Sequence, residues 1–561
     1  LIYYILSGKF LTMTAQCVQI PVISALALVT AAASAMPIET DSDIRLSWDN
    51  TVQATVVDQP GVESYGPSGR CLPATGDYTV EAQIFTCAPR TGLVSTRLEW
   101  LSEVNLSYQN YGLRASSFAS WDPTYLSWRS ETPGLQGGTG ERSYFTERGS
   151  EPDGYIELYD AFLYGTTSLG ADQPFSFRLG RQVGLWGESL YFVQNGIAAG
   201  QAAVDAYRYS TDGYSPANET FLPVGQASFS WQPANGWAVI GYYQFEWRRN
   251  RINPYDPYDS TTMILAGDDL DYATRQIVLP VGPGGLPVDF LRTSDMTPGS
   301  SDQFGLGLRR QQGDFDWGLY ALSYNAKAPE LYFRLPSQIF QPGTYTLVFP
   351  KAIETGGISL SGPLGDASFG AELSARLRMP LVNAGILLPA MADFPADNDD
   401  RPRYPVGDTL QAQFSWVYQT PPLPGVPGGA SWTGEVAGND LLAATANADQ
   451  LVPGRTRAAA SLRTVFAPEF YQILPRLDLA LPFRVGYNFL GLSEVDPMMN
   501  RGTADLSVGA ALTLDQSWKF TLGATHYLGV TENGFLPMQP QGVKQALDEG
   551  DFVSFSVETS F

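Results

Sequence analysis

A side-chain period of two constrains this chain more than any other feature. In the last stretch, 551–561 (DFVSFSVETSF), Val553, Phe555, Val557 and Phe561 fall on one parity, and Ser554, Ser556, Glu558 and Ser560 on the other. Successive side chains of a strand point to opposite faces, so one face is apolar and the other polar. The same period recurs at 44–56, where Ile44, Leu46, Trp48, Val52, Ala54 and Val56 oppose Arg45, Ser47, Asp49, Thr51 and Gln53. It recurs at 367–378, where Ala367, Phe369, Ala371, Leu373, Ala375 and Leu377 oppose Ser368, Glu372, Ser374, Arg376 and Arg378.

Charges on one parity in strand after strand decide between two all-β architectures. Inside a sandwich they would be buried without partners, at several kcal/mol each. In a barrel they line a wet lumen while the apolar parity faces lipid. The pattern therefore predicts an all-β fold, a transmembrane antiparallel β-barrel of about 16–18 strands of roughly ten residues each. It is expected in a bacterial outer membrane, with 44–56 closing onto the final strand. Phe561 reads as the terminal aromatic assembly signal presented to the barrel assembly machinery. Beyond the first 35 residues no apolar run approaches the roughly 18 residues of a spanning helix. The 29 Tyr, 29 Phe and 12 Trp suit aromatic girdles at two interfaces.

Residues 1–35 read as a secretory signal peptide: Lys9, an apolar core over 20–32, and a small-residue site at Ala33-Ser34-Ala35. The barrel is then expected over 36–561. The formal net charge of -23 becomes one unit more negative without Lys9, which argues against nucleic acid as a partner. Acidic, solvated loops account for it, and divalent ions among lipopolysaccharide phosphates are the sharper alternative. Cys71 and Cys87 sit in a Gly/Pro/Thr-rich stretch between two strands, and after export a disulfide pinning that loop is expected.

The alternation fails over 182–222, after which it resumes at Gln226. An irregular stretch this long inside a compact domain is usually functional. Its aromatic and aliphatic content predicts a segment packed in or across the lumen, a plug. The sequence LGRQVGLWGESLYFVQNGIAAGQ from Leu179, then ETFLPVG and a WQP turn, resembles a Gram-negative outer-membrane family known as domain of unknown function thirteen-oh-two. FPKAIETGGISLSGPLGDASFGAELSARLRMPL and LPRLDLALPFRVGYNFLGLS resemble it as well. Members often carry an Asn-Pro-hydrophobic-Asp element; this chain has Ala202-Ala203-Val204-Asp205 there. The resemblance implies a large outer-membrane barrel with a partly filled lumen. It also implies association with a periplasmic lipoprotein and a resistance-nodulation-division type inner-membrane pump, in transport of lipids or other hydrophobic compounds.

Arg181, Trp186, Glu188, Tyr191, Phe192 and Asn195 are the candidates for the plug and substrate path. Arg181 and Glu188 either pair to anchor the segment or gate the path, with Trp186, Tyr191 and Phe192 as an apolar wall. Glu372, Arg376, Arg378 and Arg484 are expected to line the lumen. The single histidine, His526, lies in an alternating strand whose same-face neighbours are Leu522, Ala524 and Leu528, without an acidic residue of matching parity. It reads as an interface residue ahead of a catalytic base. No metal site or cofactor is expected: zinc lacks ligands, and the glycines at 184 and 187 lack the Lys of a phosphate loop. The function expected is passage of hydrophobic small molecules or lipids across the outer membrane, with no bond made or broken. A general diffusion porin and a lipid-modifying outer-membrane enzyme are the alternatives.

Overall fold

The computed structural model describes residues 36–38, 43–58, 93–123, 154–205, 220–251, 276–390, 401–529 and 551–561, apart from 171, 235, 282–285, 301 and 339–340. The signal-peptide stretch and the cysteine pair Cys71 and Cys87 lie outside the described residues. The main sheet closes on itself. Ile44–Asp58 pairs on one side with Leu93–Tyr108 and on the other with the final strand Phe552–Ser560, in register from Thr51 opposite Ser560 to Asp58 opposite Val553. With Leu477–Ala480 and Phe483–Leu490 taken as one interrupted strand, and the short Met36–Ile38 set aside, the wall has eighteen strands. The interruption falls at Pro482, which has no N–H to give to the ladder.

Burial is inverted relative to a water-soluble protein. Leu306 and Leu319 are each 57% exposed on the outer face, whereas Glu435 is 0% and Arg376 3% exposed on the inner one. Trp48, Trp100, Trp317, Ile358, Phe414 and Trp432 continue the outer apolar surface around the wall. Such a surface is stable only where lipid covers it, so this is an outer-membrane β-barrel.

Strands 93–108 and 111–121, 304–312 and 315–324, and 353–364 and 367–380 meet in tight turns at one end. Gln109 (φ 52), Gly313 (φ 62) and Gly365 (φ 63) turn the chain there in the left-handed region. Phe561 lies at this same end, since its backbone bonds Asn50 near the start of the first strand. The connections at the opposite end are long. In barrels of this kind the short turns face the periplasm and the long loops the exterior.

The long-loop end carries a second sheet of five strands, made by Gln276–Val281, Leu286–Arg292, Glu330–Arg334, Gly343–Val348 and Ile386–Leu388. Two of its pairings are parallel, and Tyr332, Val348, Ile386 and Leu388 pack with Tyr404 and Val406 beneath it. The stretches 251–301 and 379–407 therefore each contain strand. These runs are too short to cross a membrane, and parallel partners remote in sequence leave no hairpin signature. The wall strand that begins at Trp237 ends at Gln244. Trp247 leaves the wall to meet Phe349 edge-on, with ring centroids 4.9 Å apart.

Candidate functional site

The candidate site is the contact between the segment that follows the strand Pro174–Gln182 and the inner face of the wall. Two wall carboxylates grip that segment by its backbone. Glu435 accepts the N–H of Leu190 at 3.2 Å, of Tyr191 at 2.5 Å and of Phe192 at 2.8 Å, and the Ser189 hydroxyl at 3.3 Å. Glu372 accepts the N–H of Ile197 at 2.9 Å and that of Glu188. Consecutive N–H groups aimed at one carboxylate form an anion-holding concavity, here with the anion supplied by the wall. Arg376 works in the opposite sense, donating to the carbonyls of Gln194 at 3.0 Å and Gly196 at 2.8 Å. Asn195 donates to the Gly438 carbonyl at 3.2 Å, and Tyr191 and Thr433 share a hydroxyl contact at 2.5 Å.

Glycines let the backbone come this close. Gly187 has φ +93, and a Cβ there would collide with the Glu372 carboxylate; a Cβ on Gly370 of the wall would meet the Glu188 side chain. On the adjoining wall the segment is held by apolar packing. Ile197 lies among Tyr242, Tyr320 and Leu322, while Trp186 meets Tyr242 and Tyr320 at centroid distances of 5.0 and 5.6 Å. Beyond the short helix Ile197–Gly200, Ala203 and Leu222 pack on Phe118 and Tyr159, which stack at 5.1 Å. Lys327, outside the strands and just beyond Tyr324, donates to the Gly200 carbonyl at 2.9 Å and lies 5.2 Å from the Tyr324 ring centre. Burial lowers its amine to about 7.

Arg181 and Glu188 do not pair. Arg181 bonds Glu157 at 3.1 Å and the Pro223 carbonyl at 3.2 Å. Glu157 also receives Arg248, and Arg251 at 2.6 Å, while Arg251 reaches Asp205 at 2.6 Å. The separation follows from chain geometry: the residues between 181 and 188 leave the strand and carry Glu188 across to the strand Ala367–Pro380. Trp186 turns toward the wall, and Phe192 packs on a wall cluster of Ala437, Ala459 and Met499. Among the expected lumen residues, Glu372 and Arg376 touch the segment, and Arg484 lies on the inward parity opposite Ser507. Arg378 does not line the lumen. A bulge between Arg376 and Met379, with Arg378 at φ 59, turns its guanidinium to Glu354 at 2.7 Å, on the outward parity of the neighbouring strand.

Sequence reasoning missed Glu435, Glu157, Arg248, Arg251 and Lys327. The inward parity of Glu435 in its strand was a usable signal; the carbonyl that Lys327 meets was not. The reading of His526 is also corrected in one respect. Asp551, beyond the strand and so outside its parity count, lies 2.5 Å from Nδ1 and also accepts the Tyr527 N–H at 2.8 Å.

Exposure along the inner face is graded. Toward the short-turn end the inward-facing Arg45, Asp49, Arg309 and Lys519 are exposed. Toward the long-loop end Thr55, Ser374, Thr409, Ser461 and Thr525 are buried. Within the segment Leu185 is 40% exposed, and on the wall Val417, inward by its pairing with Ser368, is 45% exposed. Among the described residues no group of three or more potential metal-ligating side chains occurs.

No curated protein matches the chain. Among solved structures it is similar to OccAB3 of Acinetobacter baumannii, at 10% identity and TM-score 0.43, over 92% of this chain and 99% of that one. It is similar to the outer membrane channel DcaP of Acinetobacter baumannii, at 8% identity and TM-score 0.38, over 94% and 99%. It is also similar to OpdK of Pseudomonas aeruginosa, solved with vanillate, at 8% identity and TM-score 0.37, over 92% and 98%. At such identity and TM-score nothing about this chain's function is taken from them. Residues 19–561 match the family described as "Protein of unknown function (DUF1302)", and the chain belongs to that family.

Proposed function

We propose that the barrel is a channel that passes hydrophobic small molecules or lipids across the outer membrane, with the segment 182–222 occluding the lumen between passages. The observation that carries this reading is the uncovered aliphatic surface inside the wall, Leu185 and Val417. Exposed apolar groups on the segment and on the inward parity of the wall favour an apolar guest over a hydrated one. A general diffusion porin calls for opposed charges around an open constriction; here the charges of Glu372, Arg376 and Glu435 are spent on the segment's backbone. A periplasmic lipoprotein and a resistance-nodulation-division type pump are the partners that family membership suggests. The barrel would pass its guest without making or breaking a bond. The test is binding of a fluorescent fatty acid by the purified barrel, and its flux into liposomes, with Leu185→Ser and Val417→Ser expected to weaken both. Swelling by small sugars with no fatty-acid binding would sink the reading.

One observation favours a second reading. The Asp551–His526 pair matches two of the three members of a hydrolytic triad, with the carboxylate orienting the imidazole. Its same-face neighbour on the adjoining strand is Leu506, which is not a nucleophile. Hydrolysis of a lipid ester that disappears in His526→Ala would establish that activity.

A further inference from the structure

We propose that the inserted segment is an acid-released gate, held to wall and rim by Glu372, Glu435 and Lys327 only while both carboxylates are ionised and the amine is neutral. This rests on the reading of that segment as occluding, and every segment residue it uses lies within the described residues 183–205.

The geometry supplies the mechanism. A carboxylate can accept several N–H groups at once, as Glu435 does from Leu190, Tyr191 and Phe192. A protonated carboxyl presents an O–H donor to those donors and loses the charge that strengthened the bonds. The groups facing Glu372 are the Ile197, Glu188 and Ser189 N–H from the segment, Glu188 itself, Arg376 on the same strand, Gln413 from the next strand and the like charge of Glu435. Those facing Glu435 are the segment's N–H groups, Ser189, Glu372, and Arg463 from the adjoining strand, whose guanidinium is engaged with Asp505 at 3.0 Å. Neither carboxylate has an arginine salt bridge among the described residues, so neither is held ionised by a direct cationic partner.

Lys327 acts in the same direction from the rim. Its ammonium nitrogen is buried and faces the Gly200 carbonyl and the Tyr324 ring, with no carboxylate within ion-pair distance among the described residues. The backbone around it is tied down by Asn250, which donates to the Lys327 carbonyl, and by Trp247, which donates to that of Ala326. Charging the amine in this place forfeits hydration that release into water restores. Acid therefore weakens the wall grip and the rim grip together. Arg376 keeps the Gln194 and Gly196 carbonyls, so the segment swings and does not leave.

The test uses the purified full chain in lipid, followed by hydrogen exchange corrected for its intrinsic pH dependence and by single-channel conductance. In the parent, protection over 183–204 is expected to fall about tenfold between about pH 8 and about pH 5, with conductance rising in step. Glu372→Gln combined with Glu435→Gln is expected to show low protection and high conductance already at about pH 8, and Lys327→Met a weaker acid response. Unchanged protection over Ala367–Pro380 certifies a folded wall in each variant. Protection that stays level with pH in the parent, or a double variant that keeps the parent's pH response, overturns the gate. High parent conductance at about pH 8 instead sinks the occluding reading itself, and failure of fatty-acid binding bears only on the substrate.

Discussion

Asn50 and Phe561 exchange both of their backbone hydrogen bonds, at 2.8 and 2.9 Å, so the last residue of the chain is the final rung that joins the first strand to the last. Every other closure contact lies toward the long loops from this one.

Removal of Phe561 deletes those two bonds, each worth about 1 kcal/mol, and ends the pairing of the first strand with the last at Thr51 opposite Ser560. Purified protein refolded into detergent is expected to lose about 2 kcal/mol of stability in urea. We propose that Phe561 is also the aromatic signal presented to the assembly machinery, so the yield of folded barrel in outer membranes, read as heat-modifiable migration, is expected to fall further.

Arg376 and Arg378 are two residues apart and should behave oppositely. Arg376→Met removes two charge-assisted bonds to the segment, at about 1.5 to 3 kcal/mol each, and should raise protease cleavage within 183–204 in the folded barrel. Arg378→Met loses a half-exposed pair with Glu354 and should stay within about 0.5 kcal/mol of the parent. Equal effects would mean that the bulge does not turn Arg378 outward.

Gly187→Ala places a Cβ against the Glu372 carboxylate at a positive φ. A cost of about 1 to 3 kcal/mol is expected, expressed as higher conductance and faster exchange over 183–204, with the wall strands unaffected. The open turn glycine Gly313, with nothing near its Cβ position, is the control: Gly313→Ala should carry only the smaller backbone penalty and leave conductance alone.

Glu330, in the small sheet outside the barrel wall, is raised by burial to about 7, against a bond from Asn383 that lowers it. Its folded value lies above its unfolded one, so its contribution to the sheet is complete below the ordinary glutamate range and is lost as pH rises toward about 7 and beyond. Lys327 has the opposite sign: its folded value is depressed, so the latched state is favoured at alkaline pH and loses stability as pH falls to about 7. Hydrogen exchange over 330–334 is therefore expected to accelerate with rising pH beyond its intrinsic dependence, and Glu330→Gln should abolish that excess.

The period of two by itself determined the barrel, its lipid-facing side and the pairing of 44–56 with the last strand, because alternation is local and a closed sheet is the only way to place both parities in a membrane. It also marked 182–222 as the stretch where alternation stops, and described residues of that stretch, among them Tyr191 and Ile197, touch the inner face of the wall. Only the tertiary structure decided what holds that segment. Glu435 is more than two hundred positions from Tyr191, Lys327 meets a carbonyl that carries no sequence signal, and Arg378 turns away from Arg376 through one bulged residue. Parity also missed Asp551 beside His526, because a residue just outside a strand is not bound by its alternation. Backbone acceptors, bulges and contacts across a lumen depend on where strands end up in the ring, and a local pattern holds no record of that.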